Sequence, residues 1–319
     1  MRKVLLFFTI VLLLFSCEKQ KKINKEVEAL KVSVTIERFD QKFAEATPEN
    51  WKSLREEYPF FFPGFYPDSV WVAKTTDTLQ KELEFETDKI FRDFTKYEKE
   101  IELLFKHIKY YFSEFTEPVV YTVISDVDYQ NSVVLTEDKL VIGLDNFLGA
   151  DHKFYSGISR YIAKNLKPEQ LIPTITTRFA QQRVPFPANN TFMEKMVYYG
   201  KILYLKQLFL PLYNDEDIIG YTNEEIDWAR ANESEIWRYF VEKELLYNTH
   251  QNMDSRFLND APFSKFYLEL DNESPGRLGQ YIGWQIVMAY MKNNAVELRQ
   301  MLQTNGEDIF KNSKFKPRK

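Results

Sequence analysis

The most apolar stretch of this chain is Val4 to Phe15, nearly unbroken and preceded by Arg2 and Lys3. Coiled as a helix it would rise about 18 Å, well short of the ~30 Å hydrocarbon core of a bilayer. A positive start followed by a short apolar run has the form of a signal sequence rather than a spanning anchor. The rest of the chain must therefore bury its own apolar surface. It has the means: 44% of the 319 residues are hydrophobic and 16% aromatic, which excludes a disordered chain. The 42 basic against 47 acidic residues give a net charge of −5, with no cationic excess to neutralise a nucleic-acid backbone. One Cys and 3 His rule out an intrachain disulfide and leave too few ligands for a structural Cys/His zinc site.

That single Cys is Cys17, directly after Leu14-Phe15-Ser16. The arrangement resembles a bacterial lipobox, in which a small residue precedes a Cys that is acylated and becomes the mature N-terminus. Two or three acyl chains hold a protein firmly where one does not. Residues 1–16 are thus expected to be a lipoprotein signal peptide, and residues 17–31, rich in Lys and Glu, a lipidated Cys followed by a polar tether. Cleavage removes two cations and no anion, so the mature chain has no charge attraction to anionic lipid and the acyl chains must do the anchoring.

From residue 32 to 319 the pattern is that of one α+β domain, mostly helical, with a small β-hairpin sheet. Val32 to Ile36 alternates and is β-branched, as a strand requires. Phe39 to Glu57 reads as helix. The Pro-broken run from Tyr58 to Pro67 reads as an aromatic plug against neighbouring helices. Between Thr76 and Phe112 apolar residues fall at three-and-four spacing from Leu79 to Ile108, which predicts two helices with one buried stripe. Strands are predicted at Val119–Ile124, Ser132–Leu135 and Lys139–Gly143, read together as the hairpin region. Helical patterns follow at Pro168–Gln182, Thr191–Phe209, Asn223–Tyr247 and Gly279–Lys292. Thr222 and Glu225 form a capping box, and Gly279 and Gly283 share a helix face where two backbones can approach closely.

Catalytic patterns are missing. His107, His152 and His250 are each isolated, so the H-E-x-x-H zinc helix is absent. No G-x-S-x-G elbow, Walker loop or G-x-G-x-x-G occurs. Asp126-Val127-Asp128 has D-x-D spacing but Asn131 stands where a calcium loop needs Gly, and no distal Glu follows. No metal and no small-molecule cofactor is expected.

Several separated segments carry a family resemblance: Leu144 to Gly149, Tyr155 to Tyr161, Met196 to Tyr204, Ile219 to Thr222, Trp228, Asn232-Glu233, Ile236-Trp237 and Gly283 to Val287. With the lipobox, they resemble the gliding-motility lipoprotein GldB family of Bacteroidota over essentially the whole chain. The resemblance implies a lipid-anchored cell-envelope protein, in the outer rather than the inner membrane, serving a gliding apparatus coupled to type IX secretion. Its partners would be other gliding and secretion proteins of the envelope, with no nucleic acid. That family is in turn distantly similar to zincin-like zinc peptidases. By order along the chain, Thr174, Thr176, Thr177 and Arg178 stand where the zinc helix should be, and Tyr199 where a third ligand should precede Gly200. The ligands are missing, so peptidase activity does not carry over and the fold is expected to be a degenerate zincin.

What such a fold can keep is its groove, where an extended peptide binds along a strand edge by main-chain hydrogen bonds. Arg178, Tyr199, Lys201 and Tyr204 are the candidate lining residues, beside the 119–143 strands. The expected function is a non-catalytic, lipid-anchored gliding component acting through protein contacts; a peptide-binding pseudo-peptidase or an envelope hydrolase with an unrecognised site is the alternative. Replacing Cys17→Ala should leave the protein unacylated and move it from the membrane to the soluble fraction, as read by fractionation and immunoblotting.

Overall fold

The computed structural model describes residues 23–269 and 271–318. The apolar run, Cys17 and the first part of the expected tether lie outside those residues. The sheet holds β1 (Ile36–Glu37), β2 (Val119–Val123), β3 (Val133–Leu135) and β4 (Lys139–Gly143) in the order β1-β2-β4-β3. β2 runs parallel to both β1 and β4, and only β3 and β4 make an antiparallel hairpin. This corrects the expectation of a hairpin region across 119–143. The chain leaves β2, passes the place β4 will fill, forms the edge strand β3 and turns back. The 124–132 connection is too long for a tight hairpin turn, which is why β2 and β3 do not pair. Of the strand expected at 32–36, only Ile36 enters the ladder.

The first helices are α1 (Lys25–Glu28), α2 (Phe39–Ala44), α3 (Trp51–Glu57), α4 (Asp68–Thr76), α5 (Thr78–Phe91) and α6 (Thr95–Tyr111). After the sheet come α7 (Arg160–Ala163), α8 (Leu171–Arg183), α9 (Phe192–Phe209), α10 (Asp215–Ile219), α11 (Asn223–Ala231) and α12 (Glu233–Glu242). The chain closes with α13 (Leu278–Asn293), α14 (Leu298–Gln303) and α15 (Gly306–Ser313). The result is the mostly helical α+β class read from the sequence. The Thr222–Glu225 capping box opens α11 with both of its reciprocal bonds formed.

The sheet separates two apolar clusters. Val120, Leu140 and Ile142 face the main core with Ile101, Phe105 and Ile108 of α6 and Ile175 and Phe179 of α8. On the other side Phe39, Phe43, Trp51, Tyr58 and Phe62 form a smaller cluster against Tyr121 and Val123. The plug is therefore split: Tyr58 and Phe62 are buried, whereas Phe60, Phe65 and Tyr66 are exposed. Leu79, assigned to the buried stripe of α5, also faces outward. The expected tether needs correction too. From Asn24 the chain is docked on α6, with Val27 buried and the Tyr110 hydroxyl donating to Glu26 Oε2 at 3.0 Å.

The most extensive helix contact joins α9 to α13, and it turns on two glycines. A Cβ on Gly283 would land on the carbonyl of Met196, and one on Gly200 would land on the peptide group of Gly283. The backbones touch where side chains would otherwise hold them apart. Gly283→Ala should cost about 3 kcal/mol, the upper end of overpacking penalties. Gly64→Ala, with nothing within 4 Å of its added Cβ, should stay within about 0.5 kcal/mol. Denaturant unfolding of both variants checks the contrast.

Candidate contact groove at the edge of the sheet

The segments that carry the family resemblance are, in the structure, pins of the fold. Asp145 and Asn146 are fully buried at the end of β4. The Asp145 carboxylate accepts from Ser125 N at 2.9 Å, Ser125 Oγ at 3.0 Å and Val127 N at 2.6 Å. It thereby holds the β2–β3 connection, where Asp126 and the β-branched Val127 sit at φ 57° and 58°, a conformation such residues adopt only when the surroundings impose it. Tyr155 donates its hydroxyl proton to the Asp145 carbonyl at 2.7 Å. Gly220 takes the left-handed conformation that ends α10. Glu233 accepts from the Tyr281 hydroxyl at 2.8 Å.

The open feature near the predicted residues is a groove of about 700 Å³ along β3. One wall is the strand itself, with Val134 exposed. The other is the end of α8 with Arg178, Gln182 and Arg183, continuing into Val184, Pro185 and Phe186. Phe186 is 88% exposed and stacks on Tyr198 with ring centroids 6.3 Å apart. Ser132 accepts from Gly143 N and Thr136 donates to the Lys139 carbonyl, so residues of that parity face β4. The backbone groups of Val133 and Leu135 therefore face the groove. Arg178 Nε donates to the Val133 carbonyl at 2.9 Å, and Nη2 donates to Gln130 O at 3.2 Å.

Of the four residues predicted to line a groove, the structure places only Arg178 in this one. Lys201 is buried beneath it, donating to the carbonyls of Leu302 at 2.8 Å and Thr304 at 2.6 Å. Those two residues flank Gln303, which lines the groove, so Lys201 braces a wall from behind. Burial pushes its ammonium down to about 8. One face of α9 thus matches two helix termini by charge. Lys201 meets the carbonyl end of α14, and Glu194 accepts from Gly306 N at 2.9 Å and Glu307 N at 3.2 Å at the start of α15. Tyr199 and Tyr204 are half-buried against the core, and burial raises both phenols above their ordinary range. Arg183 and Phe186 were not anticipated, although an aromatic between Pro185 and Pro187 is a sequence sign of an exposed, stiff segment.

A zinc site does not fit these residues. The hydroxyls of Thr174, Thr176 and Thr177 each donate to the carbonyl four residues back on α8, at 2.6–2.9 Å, and Arg178 brings a cation alongside. Among the described residues no group of three or more His, Cys, Asp and Glu side chains is placed to hold a metal ion.

The family described as gliding motility protein GldB matches residues 20–317. The chain belongs to that family. Membership gives it a role in gliding motility and the character of a cell-envelope lipoprotein. No curated protein and no solved structure matches the chain. Among the described residues no helix is long and apolar enough to cross a membrane. The brace formed by Lys201 can be tested directly. Lys201→Met keeps the side chain's length but leaves one buried and one part-buried carbonyl without this donor, which should cost about 1–3 kcal/mol in a denaturant titration.

Proposed function

We propose that this family member is a non-catalytic part of the gliding apparatus, anchored through acyl chains on Cys17 and working by protein contacts at the β3 groove. The observation that carries the reading is the edge itself. The backbone groups of Leu135 face outward, with no hydrogen-bond partner among the described residues. A short strand flanked by the exposed Val134 and Phe186 is a template for strand addition, with main-chain bonds supplying affinity and neighbouring pockets supplying choice. The braced wall supports the same reading. Lys201 and Glu194 fix α14 and α15 against α9, so the Gln303 side of the groove rests on rigid elements.

The lipid and the groove divide the work. Acylation confines the protein to a membrane surface, and confinement raises the effective concentration of a weakly bound envelope partner. An interface of modest area can then suffice. A photo-crosslinking residue at position 134, introduced in living cells, should capture a protein of the gliding or secretion machinery, identified by mass spectrometry. The same residue at the exposed Val241, on α12, should not. Capture at both positions or at neither would end the groove reading.

A further inference from the structure

The groove has a charge sign that the rest of the chain does not. Its lining includes Arg178 and Arg183 and no carboxylate, on a protein of net charge −5. Neither guanidinium has a carboxylate within 4.0 Å among the described residues, whereas Arg299, close by, has one: its Nη2 lies 2.5 Å from Glu114 Oε2. Arg183 is instead spread over the rings of Phe112 at 5.0 Å and Phe115 at 5.5 Å, with Nη1 donating to the Phe179 carbonyl at 2.9 Å. Burial pushes it down to about 10, with the Glu114 carboxylate and the Arg299 cation nearby acting on it in opposite directions. The carboxylates bordering the groove are engaged already. Glu114 serves Arg299, and Asp128 accepts from Asn131 N at 3.2 Å and Nδ2 at 2.9 Å.

Each guanidinium offers five N–H donors. Arg178 uses its Nε and one Nη2 hydrogen on carbonyls, with a long third contact to Gln181 Oε1 at 3.5 Å. Arg183 uses one. Donors remain on both, five residues apart along α8 and beside the strand edge. Arginine forks of this kind select planar anions.

We infer that the groove takes an extended, acidic segment of a partner protein, its backbone paired with Leu135 and its carboxylates placed on Arg178 and Arg183. This rests on the reading of the groove as a contact surface and adds to it the chemistry of the partner. An extended chain places alternate side chains on one face, so a segment alternating apolar and acidic residues would set its carboxylates toward Arg178 and Arg183 while its apolar residues met the strand wall at Val134. A neutral or basic segment would leave the two guanidinium groups partly desolvated without a counter-charge.

The test uses the full chain, purified with its lipid in neutral detergent, and two fluorescein-labelled peptides read by anisotropy. One peptide is Thr-Val-Glu-Val-Asp-Val-Thr, and its twin carries Gln and Asn in place of Glu and Asp. The acidic peptide should bind about tenfold more tightly, as one charge-assisted pair requires, and the advantage should shrink as salt is raised. Arg178→Gln and Arg183→Gln should each narrow the gap and the double variant should close it, with circular dichroism confirming the fold. Leu135→Pro removes an outward N–H without touching the bonds to β4, and should weaken both peptides alike while the gap persists. Equal binding of the twins, binding of neither, or a gap that survives loss of both arginines would overturn the proposal. If crosslinking from position 134 succeeds while the twins bind equally, the contact surface stands and the acidic partner falls. If the acidic peptide binds selectively but no crosslink forms in cells, the contact reading falls instead.

Discussion

Contact between two peptide backbones at Gly200 and Gly283 sets the geometry from which the helical body is built. Because neither position can carry a Cβ without striking the opposite main chain, α9 and α13 lie closer than side-chain packing would permit. Each then offers its remaining faces to other elements. α9 receives α8 on one side and α15 on another, and two of its buried charges, Lys201 and Glu194, sort the ends of the terminal helices by polarity. The groove depends on this arrangement at one remove. Gln303 is where it is because Lys201 and Glu194 hold the helices on either side of it.

The helices were legible in the sequence because the three-and-four apolar rhythm is local. The capping box at Thr222 and Glu225, the paired helices between Thr76 and Phe112 and the close face around Gly283 could all be read from neighbours in the chain. The sheet was less so. Strand positions were plain, but strand order depends on what Asp145 does to residues twenty positions earlier, and no periodicity reports such a bond. The same limit applies to the groove. Tyr199, Lys201 and Tyr204, placed at a groove by the zincin-like order of elements, point from α9 in different directions once the helix turns by about 100° per residue. Arg178 fell in place because it reaches a strand edge, a relation the family likeness implied and spacing alone did not.

Family likeness and functional surface also separate in this molecule. Each long segment that marks the family contributes buried residues, among them Asp145, Asn146, Gly200, Glu233, Gly283 and Trp284. They specify a scaffold. The groove residues Val134, Arg183 and Phe186 stand outside those segments, on an edge strand and a Pro-bounded stretch, where binding surfaces of rigid scaffolds commonly lie. The cationic lining of an otherwise acidic chain follows from the same division. Core residues set the fold, and a few side chains at its rim set the sign of the local field.

The docking of Asn24 and Val27 onto α6 has a mechanical corollary. With acyl chains on Cys17 as proposed, the slack between bilayer and body is only the stretch from residue 17 to residue 24, at most about 25 Å of fully extended chain. That leash is shorter than the body it holds, so the folded part stays close to the leaflet that carries the acyl chains. Whatever grips it must come to the membrane, and any pull applied to the folded part is felt by the lipid almost at once.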